Sequence, residues 1–275
     1  MRFARFCSAG GLLLGVAIAT PASAQTDYYN TDRGRPVQIE DAYVTERYAL
    51  ELKLAPVRLE RERSGVYRAG LDPEIAFGIL PRTQIEVGLP LAYTEAGGSS
   101  RSGIAGLDLS VMHNLNVETE GWPALGIRAD LLASVGRLAA KRAYPSITGI
   151  ATRTYRRARV HVNATYTAGA SLDPVAASRE LGAAEVSRWL IGGAIDKSFP
   201  LRSTLVTGEF YGRKPLIDGE AVEYTTGVGT RHQVSPTLAL DAGVGRRLNG
   251  EAPGWYVTFG SAYAFSLPAL FPARR

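Results

Sequence analysis

Apolar and polar side chains alternate with a period of two through most of the chain beyond residue 47. Near its end, for example, Leu238, Leu240 and Val244 share one parity, whereas Asp241 and Gly243 share the other. This period indicates β-strands, because successive side chains of a strand point to opposite faces. Strong alternation predicts strands at the first eight of the following segments, and weaker alternation predicts the last four: 71–79, 85–93, 107–115, 125–131, 160–167, 189–196, 238–244, 255–265, 48–55, 147–155, 203–211 and 223–233.

The lengths of these segments and of their connections favour a membrane barrel. The segments run to about 9–12 residues, near the length that a tilted strand needs to cross a bilayer and longer than the usual strand of a soluble sheet. Alternating link lengths are typical of outer-membrane barrels, which have short periplasmic turns and longer extracellular loops. The short links are Leu80–Thr83, Arg156–Ala158, Phe199–Arg202 and Ser235–Thr237, and the long ones are 94–103, 136–146, 171–185, 214–222 and 248–254.

The predicted fold class is all-β, a closed antiparallel up-and-down transmembrane β-barrel of about 12 strands with both ends on the periplasmic side. The alternative is a soluble sandwich or a lipocalin-like barrel, whose strands also alternate. Charged and small residues share the less apolar face, as Glu86 does with Gly88 and Asp241 with Gly243. Such a face could not form a dry core. In lipid it faces the lumen, and the apolar face contacts the acyl chains.

The first 24 residues have the features of a secretory signal peptide. Arg2 and Arg5 precede an apolar run at 9–19, and a small-residue cleavage site follows at 22–24. The run is too short for a membrane-spanning helix, which needs roughly 20 residues. The predicted organisation is a signal peptide at 1–24, a periplasmic N-terminal segment at 25–47, the barrel at 48–265 and a C-terminal extension at 266–275. The sequence leaves open whether residues 25–47 form a plug, an extra strand or a disordered tail.

Composition agrees with an exported membrane protein and excludes several other classes. The chain of 275 residues is 45% hydrophobic and 21% charged, which argues against intrinsic disorder. Its single cysteine, Cys7, lies in the predicted signal peptide, so the mature chain would have none. Without Arg2 and Arg5 the chain holds 29 basic and 26 acidic residues, a net charge of +3. This charge is too small to favour a nucleic acid as partner.

Several strand and turn motifs resemble an outer-membrane protein family labelled MetA-pathway of phenol degradation. The similarity runs from Glu51 to Phe265, and the motifs are Asp72–Ile79, Thr83–Pro90, Gly106–Leu109, Arg159–Asn163 and Leu238–Gly245. The resemblance implies a monomeric outer-membrane β-barrel that transports small solutes, hydrophobic or aromatic in kind. It carries no catalytic residues.

The last predicted strand resembles a second outer-membrane feature. Tyr263 and Phe265 close an aromatic strand that is similar to the C-terminal signal addressing barrels to the barrel-assembly machinery. Here residues 266–275 follow, whereas the signal usually ends the chain. The expected partners are outer-membrane lipid, the barrel-assembly machinery and a small-molecule solute, with no nucleic acid. The expected location is the bacterial outer membrane.

The polar face of the predicted strands supplies the candidate channel lining. Twelve strands enclose a narrow lumen, so opposite charges could pair across it and either plug the barrel or line a small polar path. Two segments resist a clean assignment, because Arg153 shares a face with Ala151 and Glu209 shares one with Leu205. The predicted lining residues are Glu74, Glu86, Asp108, Arg128, Asp130, His161, Asn163, Arg188, Asp196, Arg231 and Asp241.

No catalytic, cofactor-binding or metal site is predicted, and the protein is not expected to be an enzyme. The histidines His113, His161 and His232 are not spaced as metal ligands. The function hypothesis is passive passage of small solutes through a channel without a cofactor. One alternative is a non-conducting surface barrel whose loops at 171–185 and 214–222 bind an external partner. Another is an outer-membrane hydrolase that uses the lumen-facing His161 beside a serine nucleophile.

Overall fold

The computed structural model describes residues 29–250 and 253–266. The strands of these residues form one sheet, in which all neighbours pair antiparallel. One α-helix, α1 (Pro174–Glu180), and a 3-10 turn at Pro200–Arg202 accompany them. The strands are β1 (Ala49–Glu62), β2 (Tyr67–Leu80), β3 (Thr83–Gly88), β4 (Leu91–Ala96), β5 (Ser99–Ile104), β6 (Leu107–Asn116), β7 (Ala124–Ala133), β8 (Tyr144–Thr154), β9 (Arg159–Thr167), β10 (Ser187–Phe199), β11 (Thr204–Pro215), β12 (Glu223–Ser235), β13 (Leu238–Arg247) and β14 (Gly254–Ser266).

The sheet closes on itself through β1. Leu52 of this strand pairs with Ile75 of β2 on one side and with Tyr263 of β14 on the other. Strands β3 and β4 together form one interrupted wall strand, since both pair with β2, and β5 and β6 form the next. The barrel therefore has twelve strands, and the predicted fold class is confirmed. Closure removes the open edges that hydrocarbon could not satisfy.

Pro90 accounts for the interruption between β3 and β4. A proline has no N–H group to donate, so it breaks a hydrogen-bonded ladder. Its carbonyl oxygen instead accepts a hydrogen bond of 2.7 Å from Ala105 N–H, which lies in the matching gap between β5 and β6. The interruption therefore crosses two neighbouring wall strands at the same level.

Apolar side chains form the outer surface of the barrel and polar ones line the inside, as predicted. On β10, Ile191 keeps 55% of its surface exposed, whereas Asp196 keeps 1%. On β9, Val162 is exposed while His161 and Asn163 are buried. Such an exterior is stable in hydrocarbon, whereas in water it would leave a large apolar area exposed. The outside of the barrel is therefore a lipid-facing surface.

The positions of individual side chains explain why the alternation was ambiguous on two strands, β8 and β11. Arg153 of β8 faces outward, but its guanidinium group donates hydrogen bonds to the carbonyl oxygens of Thr119 and Trp122, at 2.5 and 3.1 Å. These carbonyls lie in a turn at the end of the strands, so the charge avoids the middle of the membrane. Leu205 and Glu209 of β11 both face inward and are buried. The inside of the barrel therefore contains apolar groups as well as charges.

The connections at the two ends of the barrel differ in length, with two departures from prediction. At the end of the barrel where β1 begins and β14 ends, the links are 81–82, 117–123, 155–158, 200–203 and 236–237. At the other end, 134–143 and 168–186 are the longest links, and 216–222 has seven residues, as 117–123 does. The predicted long link at 248–254 is the shorter link 248–253 in the structure, and 63–66 is also short. The predicted long link at 94–103 is wrong, because β4 and β5 continue toward each other and a two-residue turn joins them. Gly97 and Gly98 have φ angles of 56° and 79°, which tight hairpin turns require.

The three loops 134–143, 168–186 and 216–222 pack together and are called the lid below. Helix α1 begins after Asp173, whose side chain caps it by accepting hydrogen bonds from the N–H groups of Val175 and Ala176. One side of α1 joins a buried apolar cluster that draws on all three loops. Its members are Ala140, Tyr144, Leu172, Ala177, Leu181 and Leu216.

Within the described residues, no helix is both long enough and apolar enough to span a membrane. The predicted signal peptide at 1–24 lies outside the described residues, as do residues 267–275 of the predicted C-terminal extension. The description begins at Tyr29, inside the segment whose form the sequence left open.

The plugged lumen as candidate functional site

Residues 30–46, called the plug below, lie inside the barrel. Gln38 N–H donates to a carboxylate oxygen of Glu209 on β11 at 2.7 Å. The amide of Asn163 on β9 binds Glu40 in both directions, accepting from its N–H at 2.8 Å and donating to its carbonyl oxygen at 2.9 Å. Buried backbone groups require hydrogen-bond partners, and side chains of the wall supply them here without a strand ladder.

The plug enters and leaves at the same end of the barrel. At its start, Arg159 next to the 155–158 turn donates a hydrogen bond to Tyr29 O. At its end, Tyr48 N–H donates to Gly78 O at 2.7 Å, close to the 81–82 turn. The predicted periplasmic position of residues 25–47 is therefore corrected for the described part, which is a hairpin-shaped plug inserted from the short-turn side. For these residues the extra strand and the disordered tail are excluded.

Two wall glycines make room for the tip of the plug. A Cβ atom added at Gly229 of β12 would come within 2.7 Å of Pro36 Cβ. One added at Gly243 of β13 would come within 2.6 Å of the Pro36 carbonyl oxygen. Atoms at these distances overlap, so a larger residue at either position would displace the plug. Small residues on the luminal face thus have a packing role.

Charged side chains of the plug pair with wall charges that are neighbours in the sheet. Arg231 of β12 and Asp241 of β13 are ladder partners, yet each binds the plug. Arg231 lies 2.9 Å from Asp32, and Asp241 lies 3.0 Å from Arg35. Lys53 of β1 lies 3.2 Å from the same Asp32. An unpaired charge at such a buried site is costly, so these pairs hold the plug in one position.

A second group of charges surrounds Arg128 of β7. Its guanidinium group lies 2.6 Å from Glu86, 2.7 Å from Asp130 and 3.3 Å from Glu40 of the plug. Arg33 of the plug lies 3.1 Å from the same Asp130. The network is continuous from the wall into the plug, so movement of the plug would break several charge pairs at once.

Apolar contacts complete the packing between plug and wall. Ile39 is fully buried and clusters with Ala194 and Tyr211. Ala42 is also fully buried and clusters with Met112. Close-packed contacts of this kind leave no room for water between these apolar groups. The wet luminal path that the sequence suggested is filled at this level of the barrel.

The predicted lining residues face the lumen with one exception. Arg188 instead donates hydrogen bonds to the backbone oxygens of Thr167 and Gly169, at 3.1 and 2.7 Å, at the lid end of the barrel. A register shift between Ser187 and Trp189 accompanies this departure. The inward-facing ones, whose role as channel lining stays a prediction, are Glu74, Glu86, Asp108, Arg128, Asp130, His161, Asn163, Asp196, Arg231 and Asp241.

Sequence reasoning missed the luminal groups that the plug contributes. No alternating segment includes Asp32, Arg33, Arg35 or Glu40, so the sequence pattern did not indicate that their side chains lie in the lumen. It also missed Lys53, which lies in a weakly alternating strand. The available signal was the density of charges of both signs in a short stretch before the first strand, a pattern that suits pairing with a charged lumen.

A histidine contact inside the lumen bears on the hydrolase alternative. His161 Nε2 lies 2.8 Å from Asp196 Oδ2, and His161 Nδ1 lies 3.0 Å from Thr152 Oγ1. The order of groups is similar to a nucleophile–histidine–acid relay. However, Thr152 and His161 are 0% exposed, and Thr152 Oγ1 already accepts a hydrogen bond from Ala42 N–H of the plug. A substrate cannot reach this oxygen while the plug is in place, so the group positions the plug.

At the opposite end, Glu185 of the lid contacts charges on three wall strands. Its carboxylate lies 2.7 Å from Arg213 of β11, 3.0 Å from Arg247 of β13 and 3.9 Å from Arg68 of β2. Because β2 and β11 are not neighbours, this part of the lid reaches across the lumen. Partial desolvation raises the pKa of Glu185, whose side chain is 34% exposed, but the charges of Arg213, Arg247 and Arg58 outweigh this effect and hold that pKa well below its usual range. Glu185 therefore fastens the lid as a carboxylate.

A cavity of about 340 Å³ lies beneath the lid. Lid residues 183–185 form one side of it, and β1, β2, β4, β6 and β7, with Pro90 and Ala105 between strands, contribute the rest. Its lining includes Pro56, Leu132 and Ala183 as apolar groups and Asp72 and Asp108 as carboxylates. A cavity of this size is large enough for a small organic molecule. It is the candidate solute chamber of the barrel.

Comparison with solved structures identifies the architecture. The chain is similar to an outer-membrane channel from Pseudomonas putida F1, with a TM-score of 0.53 and 13% identity over 82% of this chain and 98% of that chain. It is also similar to the KdgM porin, with a TM-score of 0.51 and 11% identity over 79% of this chain and 99% of that one. No protein-family model and no curated protein sequence matches the chain.

At these identities the likeness establishes the fold, which is that of an outer-membrane β-barrel. The closed sheet and the apolar exterior agree with this fold, because hydrocarbon accepts a sheet only when no strand edge is left open. The protein is therefore a barrel of the bacterial outer membrane.

Proposed function

We propose that the protein is an outer-membrane channel for small solutes, closed by its plug in the conformation described above. The observation that carries this proposal is that side chains of the wall, such as Glu209 and Asn163, hold the backbone of the plug. The ladder of the barrel is complete without the plug, because β1 pairs with both β2 and β14. The plug can therefore leave the lumen while the wall stays intact.

Planar-bilayer recordings test the proposal by comparing the mature chain with a variant that lacks residues 30–45. We expect low conductance from the complete chain and a larger, steady conductance from the variant, because deletion leaves polar side chains around a water-filled lumen. Heat-modifiable migration on a gel verifies that both proteins form closed barrels. A folded deletion variant that conducts no better than the bare bilayer would refute the proposal.

A reversible lock provides a second test that leaves the chain at full length. Ile39 of the plug and Ala194 of β10 are packed together, and the mature chain is predicted to have no cysteine. We expect the double variant Ile39→Cys/Ala194→Cys to stay closed when oxidised and to recover the openings of the wild type when reduced. The single variant Ala194→Cys is the matched control and should respond to neither treatment. Unchanged openings in the oxidised double variant would show that the plug is not the gate.

The protein family, the class of solute and the route of export and insertion are also proposals. The strand motifs support membership of the MetA-pathway of phenol degradation family, and the apolar lining of the cavity near Pro56 and Leu132 suits small hydrophobic or aromatic solutes. We further propose that a cleaved signal peptide exports the chain and that the barrel-assembly machinery inserts it through the aromatic end of β14. Replacing Tyr263 and Phe265 by serine should then reduce the amount of folded barrel in the membrane fraction.

A surface barrel that binds an external partner is the second candidate. The observation that favours it is the lid, whose three loops share one buried apolar cluster and so present an ordered surface. Solute influx into proteoliposomes separates the two candidates, because a non-conducting anchor would give no influx even after the plug is deleted. For the hydrolase alternative, the burial of Thr152 and His161 leaves no route for a substrate while the plug is in place.

A further inference from the structure

The cavity beneath the lid contains one carboxylate without a partner. Among the charged residues that line it, Arg58 lies 2.5 Å from Glu60, and Asp108 lies 3.0 Å from Arg33 of the plug. Asp72 has no ion pair within the described residues, and its Oδ1 atom is buried without a hydrogen-bond partner.

The other cations near this cavity are already engaged. Arg68 lies 2.7 Å from Glu62, and Glu185 is held by Arg213 and Arg247 of the wall. Within the described residues, Asp72 is the one charged side chain of the lining without an ionic partner; the paired ones are Arg58, Arg68, Glu60, Asp108 and Glu185. A cationic solute would compensate the charge of Asp72, whereas an anionic solute would be repelled by it.

The rest of the lining is mostly apolar. Pro56 of β1, Leu132 of β7 and Ala183 of the lid contribute hydrocarbon surface. A ligand that satisfies the whole cavity must therefore combine a compact apolar body with a charged hydrogen-bond donor at one end. An ammonium group offers three donors and forms strong, charge-assisted hydrogen bonds with a carboxylate.

We propose that this cavity binds small organic cations, namely amines with a compact aromatic or apolar body, through their ammonium group on Asp72. The proposal rests on the channel function above and names the class of solute that the channel would select. Asp72 fixes the head of the solute, while the apolar wall accepts its body.

Calorimetric titration of the folded barrel in detergent tests the site without requiring transport. The probes are benzylamine, benzyl alcohol and benzoate, which share one ring and differ in the charge of the head group. We expect benzylamine to bind at least tenfold more tightly than the other two, and Asp72→Asn to lower its affinity about tenfold. Asp218→Asn, which removes a carboxylate from the exposed surface of the lid, should leave the affinity unchanged.

A variant that fills the cavity tests whether binding requires the space of the cavity as well as the charge of Asp72. Ala92 of β4 lines the cavity, so Ala92→Phe should weaken binding of benzylamine while Asp72 is intact. The folded state of each variant is verified by heat-modifiable migration. Equal binding of benzoate and benzylamine, or an Asp72→Asn variant that binds benzylamine as the wild type does, would overturn the proposal.

Influx measurements keep this inference distinct from the proposed function. Binding of benzylamine without influx into liposomes carrying the plug-deleted barrel would refute the channel and leave the binding site standing. Influx of all three probes at equal rates, with no calorimetric binding, would support the channel and refute the site.

Discussion

The guanidinium group of Arg35 lies 3.0 Å from the carboxylate of Asp241, and the two side chains are 1% and 0% exposed. One residue belongs to the plug and the other to strand β13, so this pair joins the segment that fills the lumen to the wall. On an exposed surface the pair would contribute little to stability, but at a buried site the loss of either charge leaves the other uncompensated.

Replacing Arg35 by alanine should loosen the plug. Removal of one partner of a buried pair leaves an uncompensated charge, at a cost of about 3–5 kcal/mol, and here the docked plug bears that cost. We expect more frequent channel openings in planar bilayers. Arg101→Ala, at an exposed position of the β4–β5 hairpin, is the control and should behave as the wild type. The exchanged pair Arg35→Asp/Asp241→Arg should partly restore closure, and wild-type openings in Arg35→Ala would contradict the role given to this pair.

A methyl group at Gly243 should displace the tip of the plug. The added Cβ would meet the Pro36 carbonyl oxygen at 2.6 Å, and a backbone atom cannot yield as a flexible side chain does. We expect faster hydrogen exchange at the amides of Gln38 and Ile39 in Gly243→Ala than in the wild type. The control is Gly149→Ala, where an added Cβ meets no atom within 4 Å. If both variants exchanged at wild-type rates, the close approach of plug and wall would be disproved.

The lid should open in acid through Glu185. Its pKa is lower in the docked lid than in a free loop, because Arg213 and Arg247 outweigh the effect of burial. Docking is therefore strongest above the free carboxyl pKa of about 4.3 and weakens as the pH falls through the depressed value. A fluorescent label on Val175→Cys, at an exposed position of α1, should report a docked lid from neutral pH down to about pH 4 and a progressive release as the pH falls further.

The same label tests whether Glu185 is the group whose protonation releases the lid. Combined with Glu185→Gln, it should report a looser lid at neutral pH and a smaller acid transition. Glu95→Gln, on the exposed hairpin between β4 and β5, is the matched control and should retain the transition. An acid transition of full size in the Glu185→Gln variant would assign it to another group.

An arginine on the lipid-facing side of β9 should weaken insertion of the barrel. Val162 is 49% exposed on the outer surface, and an arginine near the middle of the membrane costs about 2–4 kcal/mol. We expect Val162→Arg to lower the free energy of unfolding by about that amount in denaturant titrations with lipid vesicles. Trp122→Arg, in the 117–123 turn, should change it little. Equal effects of the two substitutions would contradict the orientation of the barrel.

The strands were predictable because their signal is local. Parity along β9 places Val162 outside and His161 inside without any knowledge of neighbouring strands, and the structure agrees. The hairpin at Gly97 and Gly98 was not recognised, since few apolar residues mark the extended ends of β4 and β5 where they leave the membrane. A glycine pair was the available signal for a tight turn.

The plug could be suspected from the sequence but not positioned. Arg35 and Asp241 are 206 residues apart, and a pair at that separation leaves no period in either segment. Leu205 shows the complementary difficulty. Leu205 and Glu209 both face inward on β11 and are buried, and an apolar side chain on the luminal face of a strand cannot be anticipated from alternation alone.

The plug precedes every strand in the chain, yet its contacts extend to the last one. The hydroxyl group of Thr258 on β14 donates to Pro36 O at 3.1 Å, so the final seat of the plug does not exist until β14 has been added. The entropy of closing so long a loop opposes such contacts until other interactions are in place. The earliest part of the plugged barrel to be synthesised therefore cannot complete its contacts before the final strand is present.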